Sequence, residues 1–195
     1  MTAQGNILFC GVGGQGILLA SEITAHALLA AGLDVKKSEV HGMAQRGGSV
    51  VAHLRFGAKV WSPLIDPGRA DLVVAFEMLE AGRYLPFMHE KSRLVVNTHT
   101  ILPPAVATGK MSYPTDVLDQ LRSRGLALTA VDAFAVAKEI GEPRAANVVL
   151  VGMLSTWLPV PEETFIKVIE SRLPARIREV NIKAFREGRR LAAES

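Results

Sequence analysis

Gly11-Val12-Gly13-Gly14-Gln15-Gly16 follows the apolar run Asn6 to Cys10 and opens the stretch Gln15 to Ala31, whose apolar density predicts a helix closed by Gly32. Strand, glycine turn and helix in that order make the GxGxxG match worth more than its six letters. The first glycine permits the tight turn, the second lets backbone approach an anion, and the third lets helix pack on strand, while unpaired N–H groups at the helix start face outward. A phosphate or carboxylate is stabilised by such a turn. Glu39, about 20 residues beyond the turn, stands where a ribose-binding acid belongs in a dinucleotide domain, so NAD or FAD binding is one reading. Glycines that serve close packing alone, with no ligand, are another. Gly14 and the amide of Gln15 are additions that the dinucleotide pattern does not require.

Outward from this turn, Val35 to Val40 and Ser49 to Phe56 predict two further strands. The β-branched runs Asp71 to Phe76 and Arg93 to Asn97 suit a sheet buried on both faces, with Glu77 to His89 as the crossover helix between them. Three prolines make Ile101 to Pro114 irregular. Thr115 to Arg124 predicts a helix, Leu126 to Val131 a strand, and Asp132 an N-cap for a helix over Ala133 to Ile140. Pro143 sits in the first turn of an apolar helix reaching Leu158, and Val160-Pro161-Glu162 begins a helical pair that runs to the C-terminus. The expected fold is α/β: a Rossmann-like, mostly parallel sheet flanked by helices, with a helical C-terminal part. No repeat or linker divides the chain, and 195 residues fit a single domain over 1–195.

Between the second and third strands lies Val40-His41-Gly42-Met43-Ala44-Gln45-Arg46-Gly47-Gly48-Ser49. An imidazole, an amide, a guanidinium and three glycines in one short loop are costly unless something binds. Arg46 with Gly47 and Gly48 offers a fork of donors and close backbone to a phosphate, and Ser49 adds a hydroxyl. A plainer account has His41 and Arg46 capping helices or pairing with Glu39.

The two stretches together, GVGGQGILLASEI at 11–23 and SEVHGMAQRGGSV at 38–50, resemble the gamma family of 2-oxoacid:ferredoxin oxidoreductases. The spelling is closest to the smaller, beta subunits of the indolepyruvate branch of that family. Asp132, Ala137, Gly141, Asn147 and Gly152 fall where the family places a helix-start Asp and a later Asn-containing helix. The resemblance implies a subunit of a complex that oxidatively decarboxylates a 2-oxoacid, such as an aryl pyruvate, to an acyl-CoA and reduces ferredoxin. It implies that thiamine diphosphate, Mg and iron–sulfur clusters belong to a larger catalytic subunit, with coenzyme A as co-substrate. By the resemblance the chain is inactive alone. Carried over residue by residue, Gly11, Gly13, Gly14, Gln15 and Gly16 match the glycine turn, and Glu39, His41, Gly42, Gln45, Arg46, Gly47 and Gly48 match the second motif. Of these, His41 is the candidate catalytic group and the others, with Ser49, are candidate cofactor-binding residues.

Composition sets bounds on this expectation. With one cysteine, Cys10, the chain closes no internal disulfide and holds neither a four-thiolate cluster nor a CxxC metal site. None of the five histidines forms a HExxH or an i, i+4 pair, so no metal site is expected. Hydrophobic residues make up 49% of the chain and no apolar run is long enough to span a membrane, which predicts a cytoplasmic protein. A net charge of +3 with only 6% aromatic residues argues against nucleic acid as a partner. The arginines near the C-terminus are interspersed with glutamates, as on a solvated helix face. Trp61, Met153, Trp157 and Leu158 are candidates for an apolar surface that meets another subunit, against ordinary core packing.

Overall fold

The computed structural model describes residues 3–42 and 47–194. Six strands form one sheet in the order β2-β3-β1-β4-β5-β6. They are β1 (Gly5–Val12), β2 (Asp34–His41), β3 (Ser49–Gly57), β4 (Ala70–Ala75), β5 (Met88–Asn97) and β6 (Ala127–Val131). β4, β5 and β6 continue parallel to β1, whereas β3 is antiparallel to both β1 and β2. Only β3 therefore runs against the others, and the expected mostly parallel α/β sheet is the one found. The helices are α1 (Ile17–Ala30), α2 (Met78–Arg83), α3 (Pro104–Ala107), α4 (Val117–Ser123), α5 (Ala133–Ile140), α6 (Ala146–Ser155), α7 (Glu162–Arg172) and α8 (Ala175–Ala193).

Alternation along the strands sorts side chains to two cores. Ile7 and Phe9 of β1, Leu72 and Val74 of β4 and Val95 of β5 face the larger core, built with α1, α5, α6, α7 and α8. Leu8, Cys10, Val73, Ala75, Leu94 and Val96 face the smaller core, closed by α2 and α4. α6 is buried along nearly its whole length, which explains an apolar sequence with no hydrophilic face. It lies against α8 at backbone distance. A Cβ on Gly152 would stand 2.1 Å from the carbonyl oxygen of Phe185, and one on Gly188 would stand 2.0 Å from that of Val149. Phe165 of α7 stacks on Phe185 of α8 beside this crossing, with centroids 5.3 Å apart.

Two expectations need correction. The crossover after β4 is not one helix over Glu77 to His89. α2 stops at Arg83, a 3-10 turn spans Leu85–Phe87 around Pro86, and β5 starts already at Met88. Pro86 cannot supply the amide that a longer helix needs. The helix expected from Pro143 to Leu158 begins as a 3-10 turn at Pro143–Ala145, and α6 ends at Ser155. Asp132 caps α5 as expected, its carboxylate accepting from the Ala135 N–H at 2.9 Å. Of the candidate partner-facing residues, Met153 and Leu158 are core, Trp157 packs on the larger core, and Trp61 is 87% exposed. No helix among the described residues is long and apolar enough to cross a membrane.

Candidate functional site

The C-terminal rim of the parallel strands gathers the glycine turn and the end of the second motif. The chain runs β1, β2, β3 to one side of β1 and then places β4 on the other, so the rim between β1 and β4 is the topological switch point where open α/β sheets bind ligands. β3, not β2, neighbours β1, and its first residues bring the two motifs into direct contact. The Gly13 N–H donates to the Gly48 carbonyl at 2.8 Å, and the Gly47 N–H donates back to the Gly13 carbonyl at 3.3 Å. What reads as two motifs in sequence is a single hydrogen-bonded unit in space.

Each glycine of the turn has a job somewhat different from the expected one. Gly11 still belongs to β1, close against Phe76, and Gly13 is occupied by the second motif. Gly14 is exposed with open space around it. Gly16 has φ +79° and is the N-cap of α1; a Cβ there would lie 2.4 Å from Nδ2 of Asn147, so the third glycine admits α6 rather than a strand. Gln15 turns inward. Its Oε1 accepts from the Val12 N–H at 2.8 Å and its Nε2 donates to the Phe76 carbonyl at 2.7 Å, bridging the ends of β1 and β4. Asn97, 3% exposed at the end of β5, donates to that same Phe76 carbonyl at 3.2 Å and accepts from the Ala133 N–H of α5 at 3.0 Å. No side chain among the described residues caps α1, so none of these takes up the N–H groups of Ile17, Leu18 and Leu19, and the helix dipole adds positive potential there.

Two cavities meet at this helix start. One of about 510 Å³ is lined by Gly13, Gly14, Gly16, Ile17, Leu18, Leu19 and Val50. The other, of about 410 Å³, lies across Gly14 to Gly16 against Phe76, Asn97, His99, Phe134, Arg144 and Asn147. His99 and Phe134 stack there at 4.2 Å, with their rings nearly parallel. Arg144 is exposed and pairs with Glu142 at 3.1 Å. No carboxylate lines either cavity among the described residues, which suits an anion.

The remaining candidates are placed as follows. Glu39 lies on the edge strand β2, with β3 between it and β1, and its carboxylate pairs with Lys37, which also faces Glu22 at 3.8 Å. The ribose role foreseen for a dinucleotide needs Glu39 beside the first strand, and the antiparallel insertion of β3 removes that geometry. The Ser49 hydroxyl donates to Glu80 in a short hydrogen bond, with the Tyr84 hydroxyl 3.5 Å away, so it holds the start of β3. The backbone of His41 ends β2 opposite Val50, and Gly42 follows it, exposed. Gln45 and Arg46, with Met43, lie outside the described residues.

Beneath Ser49 is a cluster of acidic and phenolic groups that sequence reasoning passed over as the polar start of a helix. Glu77, 1% exposed, accepts from the Leu79 N–H at 2.7 Å and from the Tyr113 hydroxyl at 2.5 Å. Burial and this bond to Glu77 push the Tyr113 phenol well above its ordinary range. Glu80 is nearly as buried and pairs with Arg83 at 3.0 Å. Burial first, and then the charges of Glu80 and Glu77, raise the Cys10 thiol far above its usual value, and its Sγ lies 3.8 Å from the Glu80 carbonyl. Such a thiol neither ligates a cluster nor attacks. With one buried cysteine, and no group of three His, Cys, Asp or Glu suited to a metal among the described residues, this chain's side chains do not fit an iron–sulfur cluster.

Comparison with known proteins agrees with this architecture. The family model described as pyruvate ferredoxin/flavodoxin oxidoreductase matches residues 6–191. The indolepyruvate oxidoreductase subunit IorB of Archaeoglobus fulgidus is 41% identical over 187 residues, 94% of this chain and 92% of that one. Its counterpart in Methanothermobacter thermautotrophicus is 40% identical over 194 residues, 97% of this chain and 98% of that one. The crystal structure of a keto/oxoacid ferredoxin oxidoreductase gamma subunit from Geobacter sulfurreducens shares the fold with a TM-score of 0.74 at 25% identity, covering 98% of this chain and 99% of that one. The joined glycine motifs lie inside a match that runs nearly end to end, and the chain belongs to the pyruvate ferredoxin/flavodoxin oxidoreductase family.

Proposed function

We propose that this chain is the smaller subunit of a 2-oxoacid:ferredoxin oxidoreductase whose substrate is an aryl pyruvate such as indolepyruvate. The observation that carries this reading is the likeness, over almost all of both chains, to subunits of indolepyruvate oxidoreductases. The reaction is oxidative decarboxylation: the 2-oxoacid loses CO2, the acyl group passes to the thiol of coenzyme A, and two electrons leave for ferredoxin. Thiamine diphosphate, which supplies the electron sink for decarboxylation, its Mg and the iron–sulfur clusters are assigned to a larger subunit, since this chain has no donor set for a cluster. We place the complex in the cytoplasm.

Within that complex, the switch-point rim faces the partner and receives the phosphates of coenzyme A. Gly14 to Gly16, Gly47 and Gly48 bring backbone close to the anion, and the free amides at the start of α1 donate to it. From the second motif, Gly42, Gln45 and Arg46 are assigned to the same anion on their residue types, with the Arg46 guanidinium as the charged donor. His41, whose backbone ends β2, is assigned as the candidate catalytic group. Gly11, Gly13, Gln15, Glu39 and Ser49 act through structure: Gly13 joins the motifs, Gln15 spans the strands, and Ser49 ties β3 to Glu80.

Calorimetry on the two-subunit complex tests this role. Saturable binding of coenzyme A that weakens in Arg46→Ala is expected, with no saturable binding of NAD or FAD. Equal affinity for coenzyme A with and without this chain would defeat the assignment.

A further inference from the structure

Asn147 is an expensive residue. It sits in the first turn of α6, whose residues from Asn147 to Ser155 are all buried, and it is itself only 4% exposed. A primary amide placed there loses its hydration and must be repaid by hydrogen bonds. Its own helix does not use the donor. Nδ2 instead reaches the carbonyl of Gly16 at 3.3 Å, in a segment 131 residues earlier in the chain. That carbonyl also accepts the first helical bond of α1, from the Ala20 N–H at 3.0 Å. The absence of a side chain on Gly16 is what lets the amide in.

The anchor behind Asn147 is rigid, because α6 meets α8 backbone to backbone through Gly152 and Gly188. Asn97 does the same kind of work next door, holding the Phe76 carbonyl together with Gln15 while accepting from the first amide of α5. Both asparagines border the cavity that opens on Gly14 to Gly16. The start of α1 is thereby tied to α6 through the Gly16 carbonyl, beside the cavities that its first residues line. Preorganised donors of this kind bind an anion without the cost of ordering them at the moment of binding.

We propose that Asn147, supported by Asn97, is a positioning residue for the anion-binding turn: it acts through the Gly16 carbonyl to fix the donors at the head of α1. This rests on the reading that the turn receives the phosphates of coenzyme A. The test uses the assembled two-subunit enzyme, with KM and kcat measured for coenzyme A and its dissociation constant measured by calorimetry. Asn147→Asp keeps the shape, cannot donate to the Gly16 carbonyl when ionised, and sets a negative charge beside the helix start. Its KM and dissociation constant for coenzyme A are expected to rise about tenfold, with kcat at saturation held within about twofold. Asn147→Ala removes the bond without adding charge, and a rise of about fivefold is expected.

A purely structural role predicts a different pattern: less folded enzyme, lower kcat, and unchanged KM and affinity. That pattern in either variant overturns the proposal, as does an unchanged KM in Asn147→Asp. Arg46→Ala separates the two levels of the argument. If it raises the KM for coenzyme A while both Asn147 variants do not, the positioning role alone fails. If all three variants leave KM unchanged, the coenzyme A reading of the turn fails with it.

Discussion

Gly16→Ala should be among the most damaging single-methyl additions in the protein, and the structure says how damage of that size arises. The new Cβ would sit in a left-handed residue, φ +79°, at a cost of about 1–2 kcal/mol. It would also stand 2.4 Å from Nδ2 of Asn147. That amide is held inside the protein by the burial of α6, so it must give up its bond to the Gly16 carbonyl, and a buried donor left unpaired costs about 1–3 kcal/mol. Together these predict a loss of about 3.5 kcal/mol. At roughly 2–4 °C per kcal/mol for a chain of this length, the thermal midpoint falls by about 10 °C.

A double-mutant cycle separates the two terms. Asn147→Ala alone should cost about 1.5 kcal/mol, for one hydrogen bond and a small void. With Asn147→Ala in place the added methyl at residue 16 no longer meets the amide, keeping only a 3.2 Å approach to the Cβ of residue 147; the left-handed strain and a small adjustment remain, and the pair should cost about 3 kcal/mol rather than the additive ~5. Urea unfolding followed by circular dichroism gives all four stabilities. Gly14→Ala is the control: its φ of +106° brings strain, but nothing lies within 4 Å, so it should not couple to Asn147→Ala. Additivity of the Gly16 and Asn147 changes to within about 0.5 kcal/mol would refute the proposed contact between them.

Three further outcomes are expected. Gly152→Ala gains about 1 kcal/mol of helix propensity but puts a methyl 2.1 Å from the Phe185 carbonyl, a backbone atom with no rotamer to escape into. Overpacking of about 3 kcal/mol or more should win, and a thermal midpoint at or above wild type would contradict the backbone crossing of α6 and α8. Cys10 should resist iodoacetamide in the native protein at pH 8 and react fully in denaturant, because burial and the neighbouring glutamates hold it as a thiol; rapid native alkylation, read by mass spectrometry, would count against this. Burial lowers the pKa of His53, whose Nδ1 accepts from the Ile65 N–H at 3.1 Å. Its folded value lies below its unfolded 6.5, so the unfolded state takes up protons first; the associated stability is complete above about pH 6.5 and is lost as pH falls through the folded value. Thermal midpoints from pH 8 to 5 should drop less in His53→Gln than in wild type, and parallel curves would exclude His53 as a contributor.

Much of the fold could be read from local signals because those signals are local in origin. The apolar run Asn6 to Cys10, the β-branched runs ending at Phe76 and Asn97, the Asp132 cap and the Gly32 stop each arise within a few residues. The insertion of β3 between β2 and β1 could not be read that way. Its pairing with β2 is a local hairpin, but its pairing with β1 joins residues 37 to 51 apart, from Val12 with Ser49 to Gly5 with Phe56, and neither strand's own pattern states that neighbour. That one pairing moved Glu39 away from the ribose position and brought Gly47 and Gly48 onto Gly13. The candidate site was readable as two glycine motifs, but the roles of individual residues were not. Gln15 and Ser49 look like ligand-binding groups in sequence and are spent on internal bonds. Asn97 went unremarked because it closes an apolar strand, although a polar residue at the end of a buried run is itself a sign of a backbone group needing a partner. The Glu77 and Glu80 cluster was hidden for a similar reason: acids at a helix start are ordinary, and only the packing of β3 and Tyr113 against them makes them buried.

As proposed, this chain completes a 2-oxoacid:ferredoxin oxidoreductase and does nothing comparable alone. The direct measurement is indolepyruvate-dependent reduction of ferredoxin in the presence of coenzyme A, followed anaerobically for the purified chain, for the larger subunit, and for the two mixed. Turnover with formation of the acyl-CoA is predicted only for the mixture; full turnover by the larger subunit alone would contradict it.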